Sequence, residues 1–255
     1  MATTGRIIEP SGALITPASY AALREPVRVL TADPPWQFGD NLPGKTRGAS
    51  RRYYTMDHQG ILALPLPPIA KTAILFLWRV ASMQAEGLEV VDTWGHDPWC
   101  PKHHRSRAVQ TLADMRTWAI KGCPCGNGFT VKTDWSWQKL TKTGKHWFGM
   151  GRISRASKEI VIVATRGNFT PARRDLRDTF EAKVPVDEQG DYIHSAKPDR
   201  FYELVEQLTG NQGPYCDLFA RRRRSGWFTV GNECENPVPP PVLARPPQTR
   251  SRYYV

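Results

Sequence analysis

A chain of 255 residues with 35 Lys and Arg against 24 Asp and Glu carries a formal charge of +11, and 40% of it is hydrophobic. That length suits one α/β domain with room for an insertion, and the apolar content excludes a wholly disordered chain. No apolar run approaches the roughly 18 residues of a membrane helix, so a cytoplasmic protein with no membrane partner is expected; the charge favours nucleic acid as partner over a mere solubility role.

Residues 1–26, punctuated by Pro10, Pro17 and Pro26, read as a lead-in. Val27–Thr31 is β-branched and apolar and runs into Asp33-Pro34-Pro35-Trp36, where two prolines cannot continue a central strand. The Gly-, Arg- and Lys-rich stretch from Gln37 to Tyr54 reads as a surface loop. A second buried strand is expected from Ala73 to Trp78, then a helix to about Thr93, and a strand over Phe129–Trp137. Glu159–Thr165 is the clearest buried strand. Phe201, Leu204, Val205 and Leu208 recur at helical spacing and predict an amphipathic helix from Asp199, capped by Gly210. Cys216–Ala220 and Trp227–Val230 complete the strands. Strands alternating with helices predict a doubly wound α/β sheet whose ligands sit at the carboxyl ends of its strands. That domain spans 27–235, and 236–255 forms a tail whose six prolines between Pro237 and Pro247 suit an extended arm.

The strand ending in Asp33-Pro34-Pro35-Trp36 places a carboxylate and a proline-locked carbonyl at that rim. An exocyclic aromatic amine is a poor nucleophile because its lone pair is delocalised into the ring. Two acceptors, the Asp33 carboxylate and the Pro34 carbonyl, take its two hydrogens and favour a pyramidal nitrogen whose lone pair is free for attack on an electrophilic methyl group. Pro35 helps fix the carbonyl with little reorganisation, and Trp36 offers a flat face for a base. An ordinary strand-to-loop turn with a packing Trp is the competing reading.

The tetrad does not stand alone. Tyr54-Thr55-Met56, Leu75–Trp78, Thr93-Trp94-Gly95, Gly149–Gly151, Arg155 with Glu159, and Thr165-Arg166-Gly167 follow it in order. His194–Pro198, Asp217–Arg221, Gly226-Trp227 and Gly231-Asn232-Glu233 close the series. In these blocks the chain resembles the N6-adenine methyltransferases that carry this tetrad, a family that includes the messenger-RNA adenosine methyltransferase catalytic subunit and bacterial and phage DNA enzymes. The resemblance implies a Rossmann-like sheet using S-adenosylmethionine, with the tetrad ahead of the cofactor segment, the beta-class order.

It implies that Asp33 and Pro34 hold the target amine, with Pro35 and Trp36 completing the catalytic tetrad. Asp33, Lys197, Asp217, Arg221, Asn232 and Glu233 become cofactor contacts, Lys197 pairing with the donor's methionine carboxylate. Lys197 as a solvated surface charge remains the alternative, and Asp217 stands where Glu is usual. Tyr54, Trp78, Lys139, Arg155, Arg51 and Arg52 become substrate contacts; Tyr54 closes over the base or packs its loop, and Lys45, Arg47, Arg51 and Arg52 grip phosphates or form a charged loop. Lys139, Lys142 and Lys145, with Trp135, Trp137 and Trp147, mix charge and aromatics as a nucleic-acid surface does, although tryptophans equally fill cores. The run Arg221–Arg224 contacts phosphates or is a solvated face. The target base must be flipped out or presented in a single strand.

Between Gly95 and Phe129, residues 96–128 do not match the family pattern. They contain Cys100, His103, Cys123 and Cys125, four ligands that suit one structural zinc, with His104 as an alternative to His103. Reduced cysteines without metal are the competing reading, since no disulfide framework is expected. The functional expectation is methylation of the 6-amino group of adenine, in DNA ahead of RNA. A catalytically silent nucleic-acid-binding subunit is the alternative from another class, and the oligomeric state is left open.

Overall fold

The computed structural model describes residue 15 and residues 17–37, 55–95, 128–149, 153–193 and 195–231. In chain order the elements are β1 (Val27–Ala32), α1 (His58–Leu62), β2 (Ile69–Arg79), α2 (Gln84–Gly95), β3 (Thr130–Leu140) and β4 (Lys158–Arg166). There follow β5 (Thr179–Lys183), α3 (Asp199–Thr209), β6 (Tyr215–Leu218) and β7 (Trp227–Val230). The seven strands form one sheet in the order β5-β3-β4-β2-β1-β6-β7. β4 runs antiparallel to β2 and β3, while every other pairing is parallel, so the sheet is mixed.

The central strands read as unbroken apolar runs because both faces are covered. On one face Leu30, Ala32, Leu75, Leu77, Ile162 and Leu218 pack with Ile61 of α1 and Val90, Val91 and Trp94 of α2. On the other, Val29, Ile74, Phe76, Trp78, Val161 and Val163 pack with Phe201, Leu204 and Val205 of α3. Trp135 and Trp137 belong to this second core, and Trp137 donates its indole N–H to Ala182 O at 2.9 Å. They are core tryptophans, not a nucleic-acid surface.

Sequence expectation and structure differ most where burial is partial. β2 begins at Ile69 rather than Ala73: Ile69–Thr72 are half-exposed or exposed, but Ile69 pairs with Val27 ahead of a register irregularity between Val27 and Val29. β5 was unforeseen: among its five residues only Phe180 is buried, so no alternation marks it. β6 ends at Leu218 instead of Ala220, since Phe219 turns the chain at φ 63°. α3 ends at Thr209, and Gly210 supplies the left-handed cap at φ 64°.

Candidate active site

The switch in strand order falls beside β1, with β2 on one side and β6 on the other. Chains leave β1 and β6 at the same edge, and a crevice opens there. Because β4 is antiparallel, its first residues lie at that edge too: Ile160 pairs with Arg79 at the end of β2. Asp33 after β1, Glu159 at the start of β4 and Asp217 within β6 therefore converge on one rim, which the turn before α3 crosses with Lys197.

Lys197 is the hub. Its Nζ lies 2.7 Å from Asp33 Oδ2 and 2.9 Å from Glu159 Oε2, 4.8 Å from the centre of the Trp78 ring, and donates to Ser195 O. The other oxygen of Glu159 pairs with Lys139. Lys197 is thus a buried, doubly paired ammonium, not a solvated surface charge. Burial pulls against its charge, but the two carboxylates hold its pKa above the ordinary lysine value. Burial also opposes ionisation of Glu159, yet Lys197 and Lys139 together outweigh it and hold that carboxyl at about 2. Asp33 is raised instead: burial outweighs its share of Lys197, and the nearby Glu159 charge adds to the effect.

The tetrad is fixed from every side. Asp33 N–H donates to Leu218 O at 3.3 Å, and Trp36 N–H to Pro34 O at 2.8 Å. Met56 N–H donates to Pro35 O and Gln37 N–H to Met56 O, joining the loop to the chain ahead of α1. One lone pair of the Pro34 carbonyl is engaged by Trp36, which sets its direction and leaves the second for another donor. Trp36 itself is only 4% exposed and donates its indole N–H to Trp78 O at 2.9 Å. Its ring fills the core beneath the loop and offers no open face to a base, a correction to the stacking role expected from sequence; burying the indole while satisfying its N–H is the reason.

Asp217 lies on the cleft wall, with one carboxylate oxygen accepting from Thr31 Oγ1 and the other from Tyr202 OH at 2.8 Å. Burial raises its pKa to about 6, against the lowering effect of these two hydroxyls. Asp33, Trp78, Lys197, Tyr202, Phe219 and Arg221 also line the cleft. The arginines after Arg221 depart from a phosphate-binding reading. Arg222 donates to Asp199 at 2.7 Å, and Arg224 to Asp199 at 2.8 Å and Glu206 at 3.2 Å, so both brace α3.

Lys139, expected on a nucleic-acid surface, belongs to this ionic network, and Trp78 is buried within the cleft wall. Arg155 stands apart from the cluster, its guanidinium 4.9 Å from the centre of the Phe148 ring. Glu159 had no assigned role in sequence, although its place in a matching block with Arg155 was the available signal. Tyr54, Arg51, Arg52, Asn232, Glu233 and the zinc candidates Cys100, His103, Cys123 and Cys125 lie outside the described residues. Among the described residues no group of three or more His, Cys, Asp or Glu is placed to hold a metal ion.

The MT-A70 family model matches residues 121–233. The chain is 26% identical over 212 residues to the N(6)-adenosine-methyltransferase MT-A70-like protein of Drosophila melanogaster, covering 81% of this chain and 27% of that protein. It is 27% identical over 223 residues to the N(6)-adenosine-methyltransferase subunit METTL3 of Danio rerio, covering 85% and 30%. Mouse METTL4, an N(6)-adenine-specific methyltransferase, is 23% identical over 210 residues, covering 80% and 36%. The chain spans under two-fifths of the length of each of these relatives. Over these spans the chain is similar to the MT-A70 family of N6-adenine methyltransferases, and the rim residues point the same way.

Proposed function

We propose that the protein transfers a methyl group from S-adenosylmethionine to the 6-amino group of adenine in a nucleic acid. The observation that carries this reading is the Asp33 carboxylate beside a directed Pro34 carbonyl, with a buried lysine against that carboxylate. In this reading the donor's methionine carboxylate displaces Ser195 O, the longest of the three Lys197 contacts at 3.3 Å, while Asp217 and Arg221 offer polar groups to the donor's remaining parts. The donor supplies a methyl group on a sulfonium, an already activated leaving group, so this reading requires no metal.

The chain's own residues do the rest. Asp33 and the free lone pair of Pro34 O accept the two amine hydrogens and turn the nitrogen lone pair toward the methyl group. The hydrogen bonds that stitch the tetrad hold both acceptors in place before the base arrives. Asp33 takes the proton that leaves the amine as the N–C bond forms. Its raised pKa suits it to that task better than a carboxylate locked between two lysines, such as Glu159.

DNA is the substrate expected from sequence, while the relatives' names as adenosine methyltransferases favour RNA. Labelled methyl transfer to adenine-containing DNA and RNA, side by side, separates the two, with Asp33→Ala as control. Incorporation as 6-methyladenine that vanishes in Asp33→Ala supports the proposal. No incorporation into either polymer, and no donor binding, leaves the silent-subunit reading. A structural zinc at Cys100, His103, Cys123 and Cys125 is a separate proposal, resting on ligand type and spacing alone. Metal stoichiometry that is unchanged in a Cys123→Ser/Cys125→Ser variant would end it.

A further inference from the structure

The connection from β3 to β4, residues 141–157, carries Lys142, Lys145, Arg152 and Arg155 and no Asp or Glu. Phe148 on it is 76% exposed. This exposure is held in place by the backbone. Trp147 N–H donates to Lys139 O at 2.9 Å and Gly149 N–H to Ala156 O at 3.0 Å, so Phe148 sits between two cross-hairpin hydrogen bonds. A Cβ on Gly149 would lie 2.3 Å from Ala156 O, so only glycine permits that approach. Trp147 is anchored in turn, meeting Tyr192 edge-on at 5.0 Å. The Arg155 guanidinium stands over the Phe148 ring. Lys139, whose carbonyl accepts from Trp147 N–H, also pairs its ammonium with Glu159, so this one residue joins the hairpin to the ionic network of the rim.

We infer that Phe148 and Arg155 form a stacking post for a nucleotide neighbouring the target, so that the strand is engaged unpaired. An exposed aromatic face joined to a cation matches a base and its phosphate, whereas a duplex keeps its base faces inside the stack. The neighbouring loop 184–193 bears Asp187, Glu188 and Asp191, which directs a polyanion along the Phe148 side of the hairpin. The inference rests on the proposed nucleic-acid substrate, but its test is independent of methyl transfer.

The full chain is titrated, without donor, against labelled oligothymidylate and oligouridylate, which contain no adenine, and against a G·C duplex. Phe148→Ala is expected to weaken single-strand binding about tenfold or more while leaving duplex binding near wild type, and Phe148→Trp to restore it. Arg155→Ala is expected to weaken binding and flatten its salt dependence. The donor-induced thermal shift of Phe148→Ala should equal that of wild type. If that shift is absent in wild type while binding still depends on Phe148, the methyltransferase reading fails and the post stands. Equal single-strand binding by Phe148→Ala and wild type overturns the inference. So does a change confined to self-association in sedimentation, which would make the ring a contact between copies.

Discussion

Lys197 is shared by two carboxylates, and the sharing is unequal. Glu159 has a second ammonium in Lys139, so Asp33 is the weaker acid and the first of the pair to take a proton as pH falls. Turnover is therefore expected to decline on acidification with a midpoint above the ordinary Asp value of 3.8, measured as a single-turnover pH–rate profile. Replacing Lys197 by Met leaves two half-buried carboxylates without the ammonium they share. It should abolish donor binding and cost roughly 2–3 kcal/mol in denaturant unfolding, somewhat less than for a fully buried pair because Asp33 and Glu159 keep some contact with water. Stability against pH separates the acids further. Glu159 titrates near 2 when folded and near 4.5 when free, so its contribution is complete above 4.5 and is lost as pH falls toward 2. Asp217 has the opposite sign: its folded pKa of about 6 exceeds the free value of 3.8, so stability falls as pH rises between them. Asp217→Asn, whose oxygen still accepts from one of the two hydroxyls while its NH2 donates to the other, is expected to flatten the stability profile over that interval in urea titrations.

At the scale of elements, legibility followed burial. β4 was read almost to the residue because Val161–Ala164 are buried on both faces, and α3 because its apolar stripe is regular and ends at Gly210. Gly210 takes φ 64°, and an added Cβ would lie 2.8 Å from Ala172 Cβ. Gly210→Ala is accordingly expected to destabilise the fold by about 1–2 kcal/mol without altering donor affinity, measured by chemical denaturation and calorimetric titration. β5 and the first residues of β2 carry no such signal, for the complementary reason. A half-exposed edge has no hydrophobic period, and its pairing is decided by neighbours distant in sequence. Trp36 shows the same limit within a motif: its letters were legible, but whether its ring faced ligand or core depended on Trp78 O, forty-two residues away.

For the molecule as a whole, the cleft joins the ends of β1 and β6 to the turn before α3, so a ligand there bridges segments far apart in the chain. Saturating S-adenosylmethionine should raise the unfolding free energy by about 2.7 kcal/mol at a hundred times its dissociation constant, read as a thermal shift that Lys197→Met abolishes. The tetrad, the ordered blocks that carry the family resemblance and the α/β class are all legible along the chain. These are written in residue type, spacing and local periodicity, which survive without a third dimension. Three further facts emerge only from packing: Lys197 joins Asp33 to Glu159, Lys139 completes that network, and Arg222 and Arg224 brace a helix. The first two depend on an antiparallel β4 bringing Glu159 to the rim where β1 ends, and the third on the loop after β6 lying against the helix. Charge pairing acts over a few ångströms of space, and no spacing along the chain encodes that distance.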